Sequence, residues 1–329
     1  MKDPHLHIID LHLDSFIWKR LFGYDLTKRH KNHFAQGLLF GQVDLPRLRE
    51  AGITGAMWSI TTNPFRRNFN RSKTFDLHFK NFTTWVKSQK GELKLITKPS
   101  EVTKSVHSVW LVVQGGNAFA NDVSVIDLYA PVLTRVTLMH LTHSQIGTSS
   151  SPYPAFRTRG LTETGHALVH QLNKNRVFVD LAHADQATFW DAVKTHDASQ
   201  PLMVSHTGVT GVYPHWRNLD DAQIKAVANT GGVIGVLYHA GYLGPTASQN
   251  GPAAIVNHLE HIQKVAGDDC TALGSDWDGF IIPAKGLRNC TKLPTLIQEM
   301  ESRKWSTARI EKTLGQNFLR AFKQLRPEG

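Results

Sequence analysis

Imidazole and carboxylate side chains recur at the ends of apolar runs in this chain. The segment HIIDLHLD closes on His12 and Asp14, VTLMH on His140, VFVDLAH on His183, PLMVSH on His206 and TALGSD on Asp276. Histidine nitrogens and aspartate oxygens are the donors a divalent metal takes, so the repetition points to a metal site. Asp14 follows His12 by two residues, and on an extended segment both side chains project to the same side and can grip one cation. A sixth run, VWLVVQ, closes on Gln114. There a carboxylate is expected, and Gln114 is the one member of the set with the wrong charge.

Residues so far apart in sequence meet only if the backbone brings the ends of their runs to one place. Short β-branched runs alternate with amphipathic stretches along the chain, the pattern of parallel strands joined by crossover helices. Eight strands are predicted, near residues 6 to 12, 53 to 60, 109 to 114, 135 to 140, 177 to 182, 202 to 206, 233 to 238 and 271 to 275. Each is continuously apolar, as a strand covered on both faces must be. Eight parallel strands close a (β/α)8 TIM barrel, in which every strand's carboxyl end faces the same rim.

Helix signals fill the intervals. Asp220 and Gln223 make a capping-box pattern at the start of DDAQIKAVANTGG; Ile224, Val227 and Ala228 form its apolar face, and Gly231 and Gly232 its stop. Helices are also expected in TETGHALVHQLNKN, DQATFWDAVKTH and the C-terminal STARIEKTLGQNFLRAFKQL, the last interrupted by Gly315. Loops rich in Gly, Ser, Pro and Asn over 13 to 41, 61 to 74, 144 to 161 and 238 to 251 mostly follow strands, where a barrel carries its active site. Neither an internal repeat nor a linker is evident, so residues 1 to 329 are expected to form one domain.

Other features carry less. Cys270 and Cys290 lack metal-site spacing and suit a reducing compartment. The net charge of +10 is spread over short clusters, Lys28 to Lys31 and Arg66-Arg67, with no nucleic-acid motif beside them, so a solvated basic surface is expected and no nucleic-acid partner. The N-terminus lacks the apolar core of a signal peptide, and no run reaches the ~18 to 20 apolar residues of a membrane span. A soluble, cytoplasmic protein is expected. His166 and His170 lie four apart on a predicted helix without the glutamate that would follow the first in a zinc-protease helix, and His258 and His261 are read as helix-face residues. His140 is open to three roles: metal ligand, hydrogen-bond donor to substrate, or satisfied core imidazole.

The segments DLHLD, GLTETGHALVHQLNKNRVFVDLAHAD, PLMVSHTGV, HWRNLDDAQIKAVANTGGVIGV, ALGSDWDGF and LGQNFLRAF, in this order, resemble the membrane (renal) dipeptidase family of zinc hydrolases. The likeness runs from Ile8 to Phe322 and is weakest over 15 to 100 and 240 to 265. It implies a (β/α)8 barrel of the metal-dependent amidohydrolase type. It also implies that His12 and Asp14 hold one Zn2+, that His183 and His206 hold a second, and that Asp276 sits beside the first metal and shuttles the proton. Arg217 of HWRN would bind the substrate carboxylate, and His140 would contact the scissile carbonyl or the oxyanion. Asp278 lies in the same GSDWDG motif, whose first aspartate, Asp276, is the one the resemblance assigns to catalysis. The implied substrate is a small dipeptide-like molecule, and many such proteins pair as homodimers.

The sequence departs from that family at Gln114, in VVQGGNAF, where a glutamate bridging both metals is the rule, and at Asn117, commonly histidine. An amide offers one neutral oxygen, and its NH2 is repelled by a cation. Three outcomes follow from the residues: two zincs held with help from Asp276, one zinc, or a repurposed relative that binds or modifies a small peptide metabolite. The first two keep hydrolysis of dipeptides or a related small amide by a metal-activated water.

Overall fold

Each apolar run becomes a strand because β-branched and aromatic residues fill both faces of the sheet. The computed structural model describes residues 6–31, 37–62, 68–150 and 159–328. In chain order the strands are β1 (Ile9–Leu13), β2 (Gly55–Thr61), β3 (Leu93–Leu95), β4 (His107–Gln114), β5 (Leu133–Thr137), β6 (Phe178–Asp180), β7 (Met203–Thr207), β8 (Val233–Val236) and β9 (Thr271–Leu273). All pairings are parallel, and β2 pairs with β4 to close the sheet into a barrel of eight strands. β3, which the sequence pattern does not single out, is a ninth. It lies along the first residues of β4, before β5 takes over that edge at Leu111.

Alternation along the strands sorts the core. Ile9, Leu11, Met57, Trp110, Val112, Phe178 and Met203 form an inner cluster together with Phe318, Phe322 and Leu325 of the last helix, which plugs the barrel end remote from the site. Leu13, Trp58, Val113, Val136, Val204 and Ile234 belong to the outer cluster, under the surrounding helices. The predicted helices form at Glu163–Lys174, Gln186–Thr195 and Asp221–Asn229, with Thr162, Asp185 and Asp220 as their side-chain N-caps. Asp220 and Gln223 make the expected capping box. The interruption at Gly315 is real: a π-helical turn, Lys312–Gln316, separates Thr307–Glu311 from Asn317–Leu325. A Cβ on Gly315 would lie 2.5 Å from the His7 carbonyl oxygen, so glycine lets this turn press against the entry to β1.

Two strands lose register near the carboxyl rim, β1 between Asp10 and Leu13 and β7 between Val204 and Thr207. Such irregularities re-aim side chains. Strict alternation would put Leu11 and Ser205 inside and His12 and His206 outside; the slips turn both histidines inward as well. Each slip is supported by an aspartate. Asp10 Oδ1 accepts from the backbone N–H of His12 at 3.0 Å and of Ser275 at 2.9 Å, and Asp180 Oδ1 from those of Ala182 at 3.0 Å and Ser205 at 2.9 Å.

Of the loops predicted over 13 to 41, 61 to 74 and 144 to 161, residues 32–36, 63–67 and 151–158 lie outside the described residues, as does the Arg66-Arg67 cluster. Among the described residues no helix is long and apolar enough to cross a membrane.

Candidate metal centre

The carboxyl ends of the strands surround a cavity of about 710 Å3, reached by Asp14, Gln114, His140, His183, His206, Arg217 and Asp276. His12 lies fully buried beneath it. The local placement differs from the sequence reading in one respect. Only His12, Gln114 and His206 stand within strands; β5, β6 and β9 end at Thr137, Asp180 and Leu273, so His140, His183 and Asp276 each lie three residues further, in the loops. Asp14 is likewise not on extended backbone: it stands immediately before the helix Ser15–Phe22 at φ −101°, ψ 11°, and its side chain makes no capping hydrogen bond to that helix. His183 (φ 65°) and Asp276 (φ 62°) adopt left-handed backbone, which non-glycine residues rarely take; such strain concentrates at functional sites.

Distances show the convergence. His12 Nε2 lies 3.4 Å from Asp14 Oδ2 and 3.7 Å from Asp276 Oδ1. Ligand atoms of His12, His206 and Asp276 all fall within 4.8 Å of one another. His183 Nε2 faces His206 Nε2 at 2.9 Å, and the His12 and His206 rings stack with centroids 4.0 Å apart. Two ring nitrogens bound to one zinc lie roughly 3.3 Å apart, so the facing pair needs only a small adjustment to share a cation. Gly279 leaves room for the carboxylates, since a Cβ there would be 2.5 Å from Asp276 Oδ1 and 3.0 Å from Asp14 Oδ2. Imidazoles plus carboxylates converging in a buried pocket fit a borderline cation such as zinc.

Burial governs the protonation of these groups. It pushes the Asp276 carboxyl well above the ordinary range, and the Asp14 charge adds to the rise. Asp14 is itself pushed up by burial, but His12 and the Thr61 hydroxyl, 2.5 Å from Oδ1, outweigh that and hold it below its usual value. Burial lowers His140 to about 4 and drives His183 and His206 well below the ordinary imidazole range, so all three are neutral at pH 7. Neutral imidazoles are the form that binds metal.

Arg217 is buried and donates from a terminal nitrogen to the His206 carbonyl at 2.9 Å; its Nε has no hydrogen-bond partner, and no described carboxylate pairs with it. Asp278 is committed elsewhere: its carboxylate accepts from Ser15 Oγ at 2.5 Å and the Gln42 N–H at 2.8 Å, fixing the loops beside the mouth. His258 is a packing residue whose Nδ1 accepts from the Val209 N–H at 2.9 Å, His261 pairs with Asp221 at 2.6 Å, and His166 meets Thr195 Oγ at 2.7 Å.

Three residues beneath the site escaped the sequence reading. Arg135, on β5 and fully buried, donates to the Leu11 carbonyl at 2.6 Å, contacts His12 Nδ1 at 2.9 Å and pairs with Asp180 Oδ2 at 3.2 Å. Asp180 also accepts from the hydroxyls of Thr137 and Ser205, both at 2.6 Å. Thr61 touches both Asp14 and Gln114. The available signal was charge inside an apolar run, an arginine in VLTRVTL and an aspartate in VFVDL.

A profile of the membrane dipeptidase family, peptidase family M19, matches residues 4–327. Dipeptidase aclJ of Aspergillus oryzae is 27% identical over 332 residues, covering 96% of this chain and 77% of that protein. A Klebsiella pneumoniae protein from the pqqA 5′ region is 33% identical over 169 residues, half of this chain, and the match spans only 61% of that protein. Among solved structures, dipeptidase AC of family M19 superposes with a TM-score of 0.86 at 22% identity, covering 98% of this chain and 99% of that one. A Rhodobacter sphaeroides metallopeptidase, solved with a phosphinate mimic of the dipeptide L-Ala-D-Ala, gives 0.82 at 20% identity, covering 97% of this chain and 99% of that one.

Proposed function

Because this chain belongs to the membrane dipeptidase family, peptidase family M19, and is by that membership a dipeptidase-like metallohydrolase, we propose that it uses zinc to cleave dipeptides or a related small amide. The observation that carries this reading is the meeting of His12, His206 and Asp276 within 4.8 Å, with His183 2.9 Å from His206, at the floor of the cavity Arg217 lines. His12, Asp14, His183, His206 and Asp276 would hold the metal, with Gln114 between its two halves. When bound, zinc supplies Lewis acidity, polarising the scissile carbonyl and making water nucleophilic near neutral pH.

The chain's own groups do the rest. Asp276, as the carboxylate, takes the proton from the attacking water and, once protonated, passes it to the leaving amine; burial, which favours its protonated form, strengthens it as the acceptor in the first transfer. His140, neutral in its buried position, donates a hydrogen bond to the carbonyl oxygen as charge develops there. Arg217 binds the substrate's terminal carboxylate through its planar, paired donors. Apolar residues Ile17, Leu21, Leu141, Phe280 and Ile281 line the same cavity and give an uncharged side chain a surface to bury against.

Gln114 favours a second reading, a relative that binds or modifies a small peptide metabolite, because the bridging charge is missing. A paired assay separates the two. The zinc-loaded protein is expected to hydrolyse free dipeptides and to lose at least about tenfold in kcat/KM on the same dipeptides capped as C-terminal amides, since Arg217 then lacks its charge partner. Binding of free dipeptides without turnover would favour the second reading, and equal turnover of free and amidated substrates would remove Arg217 from its role.

A further inference from the structure

Arg217 is a cation held out of water with no described anion paired to it, and the chain must supply what keeps it there. One terminal nitrogen is spent on the His206 carbonyl, and Nε has no hydrogen-bond partner. A buried guanidinium in that state gains by swinging out to solvent. The segment that carries it offers the way out, since residues 211–216 are partly or fully exposed and Trp216, next in the chain, is 37% exposed.

Asn218 closes that way. Its side chain is buried, and its amide nitrogen donates to the Tyr213 carbonyl at 2.9 Å and to the Tyr242 carbonyl at 2.8 Å. Two carbonyls can only accept, so the NH2 and not the amide oxygen must face them, and both of its hydrogens are used. The first bond pins the returning limb of the loop after β7 to its outgoing limb. The second ties that loop to Ala240–Leu243, the short helix after β8. Gly208 makes the room, because a Cβ there would lie 2.5 Å from Asn218 Oδ1. Between these points the backbone of Arg217 is held from both sides: the Thr207 hydroxyl donates to its carbonyl at 3.2 Å, and its N–H donates to His215 Nδ1 at 3.2 Å. Tyr242 lines the same cavity as Arg217, with its ring against those of His239 and His215, centroids 4.4 and 4.6 Å away. One amide therefore fixes two adjoining walls of the cavity.

We infer that Asn218 is a positioning residue for recognition of the substrate carboxylate: its two carbonyl bonds join the loops after β7 and β8 and hold Arg217 in the cavity before substrate arrives. The cost of ordering the guanidinium is then met in folding and not in binding. The inference rests on the Arg217 role proposed above and adds what keeps that side chain in place.

Calorimetry on the zinc-loaded protein tests this, with a dipeptide isostere whose peptide bond is reduced to CH2–NH, supplied as the free acid and as the C-terminal amide. Asn218→Ala should weaken binding of the acid by at least about tenfold and of the amide by less than about threefold, because the amide forms no ion pair with Arg217. Retained binding of the amide also shows that the site is folded. Gly208→Ala, which pushes the Asn218 amide aside without removing it, should give the same split. In an Arg217→Ala background, adding Asn218→Ala should change the Kd of the acid by less than about threefold, since residues that act through one another are not additive. Equal losses on both compounds, no loss on either, or a further tenfold loss in the Arg217→Ala background would each overturn the inference. An unaltered protein that binds acid and amide equally would overturn it together with the Arg217 role. Dipeptide turnover on the same samples keeps hydrolysis apart: a selective loss with no turnover sinks hydrolysis and leaves the inference standing, whereas turnover with equal losses does the reverse.

Discussion

Replacing a carboxylate oxygen by an NH2 group changes almost no volume and a full unit of charge, which is why Gln114 matters more than any other single residue of the site. Gln114→Glu is expected to raise dipeptide turnover at least tenfold, because a second cation adds charge stabilisation of the kind worth several kcal/mol in such centres. Steady-state kinetics of the two proteins at saturating zinc checks this, and unchanged kcat with unchanged zinc content would show that the amide is no handicap. Asp276→Asn removes the proton carrier while preserving shape. It should lower kcat by about 10²- to 10⁴-fold, the usual worth of a positioned general acid or base, with KM nearly constant. A variant that mainly raised KM would make Asp276 a binding residue.

At the scale of single elements, the two strand slips carry the site. The histidines themselves were legible, since His12 and His206 close apolar runs and Asp276 follows one. What was not legible is that simple alternation would hide both histidines on the outer face. The slips that expose them depend on Asp10 accepting the N–H of Ser275 and Asp180 that of Ser205, contacts between distant segments that no local pattern announces. Asp180 also faces Arg135 at 3.2 Å with both side chains fully buried. Removing it strands a buried cation, so Asp180→Ala should destabilise the fold by about 3–5 kcal/mol, readable as a lower urea midpoint.

Two further buried histidines make the barrel sensitive to acid. His107 accepts from the Trp58 indole N–H at 3.3 Å and donates to the Ile53 carbonyl at 3.2 Å, while His258 accepts from the Val209 N–H and donates to the Leu243 carbonyl at 3.3 Å. Each ring uses one nitrogen as acceptor and so must stay neutral. Burial lowers both to about 4, below the ordinary value of 6.5. In the window between 4 and 6.5 the unfolded chain therefore binds more protons than the folded one, so stability is full above pH 6.5 and is lost as pH falls toward 4. The melting temperature of the metal-free protein should fall across that window, and its slope should flatten in His258→Gln. A melting temperature independent of pH from 7 to 4.5 would show that these rings do not charge on unfolding.

The molecule as a whole was the most readable level. Continuous apolar strands at crossover spacing specify a parallel barrel because only a sheet covered on both faces tolerates them. The eight predicted strands reappear within a few residues, and the family profile extends over 4–327. β3 was missed because LKL is too short to show a period. Strand ends were placed late at 140, 182 and 275 because the chain stays apolar into the rim loops, where Met139, Leu181 and Ala182 are buried without pairing as strand. At this scale the mouth of the barrel also acquires a character the sequence did not display: Leu21, Leu141 and Phe280 are exposed around the cavity. Phe280→Ser should therefore raise KM for dipeptides with large apolar side chains by about tenfold and leave Gly-Gly unchanged, the scale of a few lost methylenes. Equal effects on both substrates would assign the ring to folding instead.

The central claim is that distant strand ends assemble a cation-dependent hydrolytic centre, and chelation with restoration tests it most directly. Turnover of a free dipeptide should vanish when the protein is stripped of metal and return in proportion to added zinc, with recovery complete at the stoichiometry of bound ion. Hydrolysis that survives complete removal of metal, or no hydrolysis by the fully loaded protein across a broad dipeptide panel, would contradict it.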